Sequence, residues 1–108
     1  MADTARQFKV DAYVMDTLLP DLVLHDHRPS TFIVYLYLWY RASGQRTAPC
    51  ASHQEMAMAT GLSKSAVQGA IRILIRRRLI HATREGITAV PQYTVLRPWR
   101  KGRSPGSI

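Results

Sequence analysis

Apolar and polar residues between positions 52 and 80 follow the pattern of two consecutive helices. In the second helix, apolar residues recur at helical spacing along one side, which predicts an amphipathic helix. They are Val67, Ala70, Ile71 and Leu74. Ser63 directly precedes this helix, where a serine can act as the N-cap by accepting a hydrogen bond from a free backbone N–H group.

A shorter helix is predicted immediately before the amphipathic one. Ser52 can cap its first turn, and Glu55 stands where its side chain can reach back to complete a capping box. Gly61 follows at a point where the backbone needs a left-handed conformation, which glycine adopts without steric cost. Leu62 can then fill the gap between the helices. The sequence therefore predicts a helix, a short turn and a longer helix.

Residues 31–42 predict another helix, which precedes these two. The continuous apolar run at 32–40 would also suit a buried strand, because it is rich in Val, Ile, Tyr and Phe. Ser30 and Gly44 favour the helix, since they suit its two ends. A helix that is apolar on all sides is buried on more than one side. One side should contact the later helices, and the other needs either residues 8–24 or a second subunit.

A small hairpin is predicted after the amphipathic helix. Residues 79–84 and 88–96 have the composition of strands, with Glu85-Gly86 as the turn between them. Pro91 lacks an N–H group, so the second strand must lie at a sheet edge or bend there. Residues 45–51 form a loop that can end in a short first strand.

The two ends of the chain have weaker patterns. Residues 12–19 predict one or two helical turns that stop near Pro20. From Arg97 onwards the chain is basic and contains Pro, Gly and Ser, which predicts disorder.

The unusual feature of the composition is its charge. The chain has 108 residues, enough for one domain, and a formal net charge of +8. So basic a domain points to a polyanionic partner, most often a nucleic acid. A single cysteine, Cys50, excludes an internal disulfide and fits a reducing cytoplasm, where we expect the protein to act. We expect no membrane span, because the apolar run at 32–40 is about half of the ~20 residues required.

The capped helices, the Gly61-Leu62-Ser63 turn and the Leu79-Ile80 pair resemble a winged helix-turn-helix domain. In pattern, the chain is similar to small bacterial, phage and plasmid DNA-binding domains, including the MarR and GntR regulators and the replication-protein type. The resemblance covers residues 30–97. These families often have glycine just before the Leu-Ile pair, where this chain has Arg78, so the turn after the helix departs from the pattern.

The resemblance implies a mainly α fold with a small β-hairpin, in which a three-helix core carries a wing. Residues 30–97 would form this domain, residues 1–29 a segment for packing or dimerisation, and residues 98–108 a basic disordered tail. It also implies sequence-specific binding of double-stranded DNA, with a recognition helix in the major groove and the wing and tail on phosphates. We expect a transcriptional regulator. The alternatives are the DNA-binding domain of a plasmid or phage replication protein, and a winged-helix module that binds RNA or protein.

The polar side of the amphipathic helix carries candidate base-reading residues. Gln68 can pair bidentately with adenine, and Arg72 with guanine or a phosphate. Gly69 either lets DNA approach the backbone or permits close helix packing. Arg84, at the hairpin tip, suits either a DNA contact or a solvated tip. The expected DNA-binding residues are Ser63, Lys64, Ser65, Gln68, Gly69, Arg72, Arg76, Arg84, Arg100 and Lys101.

No catalytic or metal site is predicted. His25 and His27 flank Asp26 with no supporting Cys or carboxylate cluster, so we expect no metal. Cys50 and His53 lack the third group that orients a catalytic pair. We therefore expect neither an enzyme nor a cofactor.

The aromatic residues of the first helix suggest packing. Tyr35, Tyr37, Trp39 and Tyr40 favour the core or a dimer interface over a ligand cavity. We expect a homodimer, whose interface combines residues 8–24 with the outer side of the first helix, including Tyr37 and Tyr40. The alternative is a monomer in which the amino-terminal segment folds back on its own subunit.

Overall fold

The computed structural model describes residues 7–25, 27–86 and 89–103, which fold mainly as helices with a small antiparallel hairpin. The α-helices are α1 (Pro29–Ala42), α2 (His53–Thr60) and α3 (Lys64–Arg76). The strands are β1 (Ile80–Thr83) and β2 (Gln92–Val95). The π-helical segments Val14–Leu18 and Asp21–His25 precede α1, and the 3-10 helix Pro98–Arg103 follows β2. No helix within the described residues is long and apolar enough to cross a membrane.

The apolar run forms a helix, as predicted, but α1 begins earlier than expected. Pro29 is its first residue, and Arg28 occupies the N-cap position without a side-chain cap. Ser30 therefore lies in the first turn and is not the N-cap. Proline suits this first position because its fixed φ is helical and its missing N–H group has no partner there. At the other end, Gly44 takes a φ of 75°.

The residues predicted to cap α2 and α3 are confirmed in these positions. The Ser52 hydroxyl accepts a hydrogen bond from the Glu55 N–H group, and the Glu55 carboxylate accepts one from the Ser52 N–H group, both at 3.0 Å. Gly61 ends α2 with a φ of 81°. The Ser63 hydroxyl then caps α3 by accepting a hydrogen bond from the Ala66 N–H group at 3.0 Å.

The core forms where α1, α2, α3 and the hairpin meet. Each apolar residue predicted for the inner side of α3 is buried. They pack with α1 residues that are themselves fully buried, including Val34, Tyr35 and Leu38. Leu62, in the turn before α3, is half-buried against this core as expected. Burial of each large apolar side chain contributes roughly 1.5–3 kcal/mol.

The hairpin is confirmed with shorter strands and a longer connection than predicted. Ile80 pairs with Val95 and Thr83 with Gln92. The connection runs over residues 84–91, of which 87 and 88 lie outside the described residues, so it is longer than a two-residue Glu85-Gly86 turn. Pro91 lies just before β2, where a missing N–H group breaks no ladder bond. The short first strand is reduced to one bridge between Cys50 and Gln92.

Arg78 makes the turn between α3 and β1 in the left-handed conformation, with a φ of 60°. Its N–H group donates to the Ile75 carbonyl at 3.0 Å. The next N–H group, of Leu79, donates to the Leu74 carbonyl at 2.9 Å. These two bonds, with Leu79 and Leu74 both buried, form a Schellman ending. Arginine therefore takes the conformation for which glycine is the usual choice.

The amino-terminal segment folds against its own chain. Val14, Leu18 and Leu22 are buried in the core. The helical path continues through Pro20 to His25, so the predicted stop at Pro20 is wrong. Proline inside a helix costs about 3 kcal/mol, which burial of these three side chains outweighs.

This packing bears on the expected homodimer. The amino-terminal segment covers part of α1 within one chain, and Phe8 packs edge-on against Tyr40 with ring centroids 5.2 Å apart. Tyr37 accepts a hydrogen bond from Arg41 at 2.9 Å. Residues 8–24 therefore contact α1 within one chain, as the monomeric alternative expects, and the homodimer stays a prediction.

The start of the expected disordered tail is helical in the structure, where Pro98–Arg103 form a 3-10 helix. Trp99 stacks on Tyr13 with ring centroids 4.6 Å apart, and its indole N–H group donates to Asp11 at 2.7 Å. Arg100 forms a two-pronged ion pair with the same Asp11 carboxylate. Residues 104–108 lie outside the described residues.

Replacing Arg78 by glycine should raise the free energy of unfolding by roughly 0.5–1 kcal/mol. Relief of left-handed strain, worth about 1–2 kcal/mol, exceeds the added flexibility of glycine in the unfolded chain. Thermal and urea unfolding measure the change. Arg76→Gly is the matched control: it removes the same side chain from the last turn of α3 and should destabilise by up to about 1 kcal/mol. A destabilised Arg78→Gly protein would contradict this account of the turn.

The Asp11 contact should make stability depend on acid pH. Hydrogen bonds from Arg100 and Trp99 lower the pKa of Asp11 from 3.8 to about 2. The stabilisation is therefore complete above pH 4 and is lost as the pH falls towards 2. At pH 7, Asp11→Asn should lower the free energy of unfolding by about 1 kcal/mol, a figure reduced for partial exposure.

Urea unfolding followed by tryptophan fluorescence tests this, with wild type and Asp11→Asn compared at several pH values. The gap between the two proteins should close between pH 4 and 2. A gap of constant size across that range would show that the Asp11 charge does not hold the carboxyl-terminal segment.

Candidate nucleic-acid interface

The outer side of α3 brings together five of the residues expected to bind DNA. They are Lys64, Ser65, Gln68, Arg72 and Arg76, all exposed. Successive residues of an α-helix are about 100° apart around its axis, so these five residues lie within an arc of about 120°. Ile75, which is 44% exposed, is the apolar residue within that arc. This side of α3 is otherwise small, polar and basic.

Gly69 lies at one edge of this arc and makes room for a side chain from another helix. A Cβ atom added to Gly69 would collide with Nη1 of Arg28 and would lie 3.6 Å from its Cζ atom. The guanidinium group of Arg28, from the N-cap of α1, therefore rests across the Gly69 backbone. Of the two interpretations of Gly69, close packing is the one that this contact favours.

Arg28 joins two arginines of α3 at that edge. Together with Gly69 and Ile73, the side chains of Arg28, Arg72 and Arg76 line an open pocket of about 320 Å³. Arg28 is not among the residues expected to bind DNA, and in the sequence only its position next to Pro29 marks it as the start of a helix. Its contact with α3 depends on how α1 and α3 pack, which no local pattern reports.

A second basic cluster lies at the opposite edge of the arc. Lys64, His53 and Arg84 line an open pocket of about 370 Å³ between the starts of α2 and α3 and the hairpin connection. At about 100° per residue, Lys64 and Gly69 are about 140° apart around α3. Burial, and then the positive charges of Lys64 and Arg84, lower the pKa of His53.

The other expected DNA-binding residues have different surroundings. Ser63 is exposed, but its hydroxyl oxygen caps α3. Arg100 is paired with Asp11, and its guanidinium carbon lies 5.8 Å from the ring centre of Trp39, near the far end of α1 from Arg28. The structure therefore does not bring Arg100 to α3. The side chain of Lys101 lies outside the part of the chain that the structure describes.

Not every arginine near α3 is available for a ligand. Arg77, at its carboxyl-terminal end, forms an ion pair with Asp21 of the amino-terminal segment. Arg78 makes the left-handed turn described above. Of this run of three arginines, Arg76 is the one that lines the pocket beside Gly69.

The aromatic residues of α1 serve packing, as predicted for Tyr35 and Trp39. Both are buried, and the Tyr35 hydroxyl donates to the Leu96 carbonyl at 3.0 Å. Burial raises the pKa of Tyr35 above its ordinary value.

Among the residues that the structure describes, no group of three or more His, Cys, Asp or Glu side chains could hold a metal ion. The group of His25, Asp26 and His27, at which we expected no metal, lies partly outside the described residues.

The sequence and the fold were compared with known proteins in three ways. Protein-family models, curated proteins and solved structures gave no match. The function of this chain is therefore inferred from its own residues and their geometry.

Proposed function

We propose that this protein is a winged helix-turn-helix protein that binds double-stranded DNA sequence-specifically, as a transcriptional regulator. The observation that carries the proposal is the outer side of α3, which is polar and basic and has a cationic cluster at each edge. Arg28, Arg72 and Arg76 form one cluster. Lys64 and Arg84, with His53, form the other.

The dimensions of this surface suit the major groove. A helix with its side chains is about 10–12 Å across, and the groove is about 12 Å wide. When a helix enters the groove, the middle of its outer side faces the base edges and its flanks face the two phosphate backbones. Gln68 and Arg72 would then read adenine and guanine, while Lys64 and Arg76 lie closer to phosphates.

The hairpin takes the role of the wing in this proposal. Arg84 follows β1 and lines the same pocket as Lys64, so it lies beside the start of α3 and not at a remote tip. A backbone phosphate at this position would be close to two cationic side chains. It would also favour protonation of His53, whose pKa is lowered in the free protein.

The tail has a smaller role than the resemblance implied. Arg100 is paired with Asp11, so a phosphate would have to compete with a carboxylate for it. Lys101 remains part of the proposal as a phosphate contact. The net charge of +8 supplies long-range attraction to DNA in either case.

Duplex binding should weaken steeply as salt rises. If about 4–6 phosphates are neutralised, the slope of log K against log salt concentration should be about −4 to −5. Fluorescence anisotropy with a labelled duplex at several salt concentrations measures the slope. Binding of duplex RNA or of proteins, with no binding of duplex DNA at low salt, would favour the interaction-module alternative and overturn the proposal.

Gln68→Ala and Arg72→Ala should reduce sequence preference. Each bidentate base contact contributes about 1–3 kcal/mol of discrimination. A preferred duplex is first selected from a random pool, and affinities for it and for a scrambled duplex are then compared. Arg46→Ala is the control, because this exposed arginine follows α1 and lies outside both clusters. Equal losses on the two duplexes would show that α3 does not read bases.

Lower pH should strengthen DNA binding through His53. Its pKa is lowered in the free protein, and a nearby phosphate would raise that pKa again, so DNA binding is coupled to proton uptake. Affinity at pH 6 should exceed affinity at pH 8 by severalfold, and His53→Gln should remove much of the difference. An unchanged pH dependence in His53→Gln would place the phosphates elsewhere.

A further inference from the structure

We propose that Arg28 and Arg76 bind a single phosphate of the DNA backbone across Gly69, at the edge of α3 nearest the start of α1. Arg72 lines the same pocket on the side that faces the bases and keeps the base-reading role proposed above. The inference rests on the proposed function and adds a phosphate-binding residue from outside α2, α3 and the hairpin. It follows from three observations: the charges, the glycine and the place of the pocket.

The first observation is the charge of the pocket. Its lining, made by Arg28, Gly69, Arg72, Ile73 and Arg76, includes three guanidinium groups and no carboxylate. None of the three arginines forms an ion pair or a side-chain hydrogen bond with a partner among the described residues. Bringing like charges together in the folded protein is unfavourable, and an anion placed between them would offset that repulsion.

Other arginines of the chain differ in this respect. Arg77 is paired with Asp21, and Arg100 with Asp11. Arg41 donates to the Tyr37 hydroxyl and to the Cys50 carbonyl. Their guanidinium groups hold the fold together. Arg28, Arg72 and Arg76 have no such partner among the residues that the structure describes, so their donors are available to a ligand.

The second observation is Gly69. It lies in the middle of α3, where glycine is among the poorest helix formers. Outside its own stretch of α3, a Cβ atom there would meet only the end of the Arg28 side chain within 4 Å. The glycine thus leaves space for one guanidinium group, and it is this space that lets Arg28 lie beside Arg76.

The third observation is the place of the pocket relative to the outer side of α3. The pocket lies at the edge of the arc, about 140° from Lys64. A ligand at that edge meets the sugar-phosphate backbone and not the base edges when α3 lies in the groove. Guanidinium groups bind phosphate oxygens through two parallel hydrogen bonds, so a backbone phosphate is the ligand that fits.

A double-mutant cycle on Arg28 and Gly69 tests the proposal. Arg28→Ala removes one phosphate contact and should reduce the salt slope by about 0.9. Relative to a 1 M salt reference, this corresponds to binding that is about eightfold weaker at 0.1 M salt. The loss should be the same on selected and scrambled duplexes. Arg46→Ala removes one positive charge beyond the other end of α1, and it should change the affinity less than twofold and leave the slope unaltered.

Gly69→Ala distinguishes an effect on the phosphate site from an effect on the stability of the fold. The substitution should raise the thermal unfolding midpoint, since alanine is the better helix former, and should still weaken DNA binding by displacing Arg28. In an Arg28→Ala background, Gly69→Ala should have no further effect on binding. An equal loss in both backgrounds would mean that DNA approaches the Gly69 backbone itself, which overturns the role given to Arg28.

The outcomes distinguish this inference from the function on which it rests. Wild type that binds duplex DNA with a steep salt slope, while Arg28→Ala behaves like Arg46→Ala, would overturn the phosphate site and leave the proposed function standing. Wild type that does not bind duplex DNA would overturn both. Binding that is about eightfold weaker in Arg28→Ala, with a salt slope reduced by about 0.9 and an unchanged unfolding midpoint, would support the site.

Discussion

The apolar side of α3 packs against α1, and this contact fixes the position of the residues in the candidate interface. Val67, Ala70 and Leu74 are fully buried there. With one side of α3 committed to the core, Gln68 and Arg72 must face outwards. The same contact brings the start of α1 beside the middle of α3, which places Arg28 over Gly69.

The parts of the fold that could be predicted are those that local chemistry determines. Ser52, Glu55, Gly61 and Ser63 act on backbone groups within a few residues, so their roles follow from spacing alone. The buried side of α3 is equally local, because helical periodicity selects it. The winged helix-turn-helix assignment extends these signals by resemblance, and it stands as a proposal.

The features that could not be predicted depend on distant parts of the chain. Asp11 contacts Trp99 and Arg100, which lie 88 and 89 positions further along the chain. Neither the charge nor the periodicity of the tail indicates such a contact. Arg28 likewise lies beside Gly69 only because α1 packs against α3. The tryptophan in that tail was the one available signal, because a large aromatic side chain gains most from burial.

The most direct test of the central claim is the change in amide chemical shifts when a selected duplex is added to the protein. The proposed function predicts the largest changes at Lys64–Arg76, with further changes at Arg28 and around Arg84, and little change at Trp99 and Arg100. Changes confined to the carboxyl-terminal segment, or the absence of any change along α3, would contradict it.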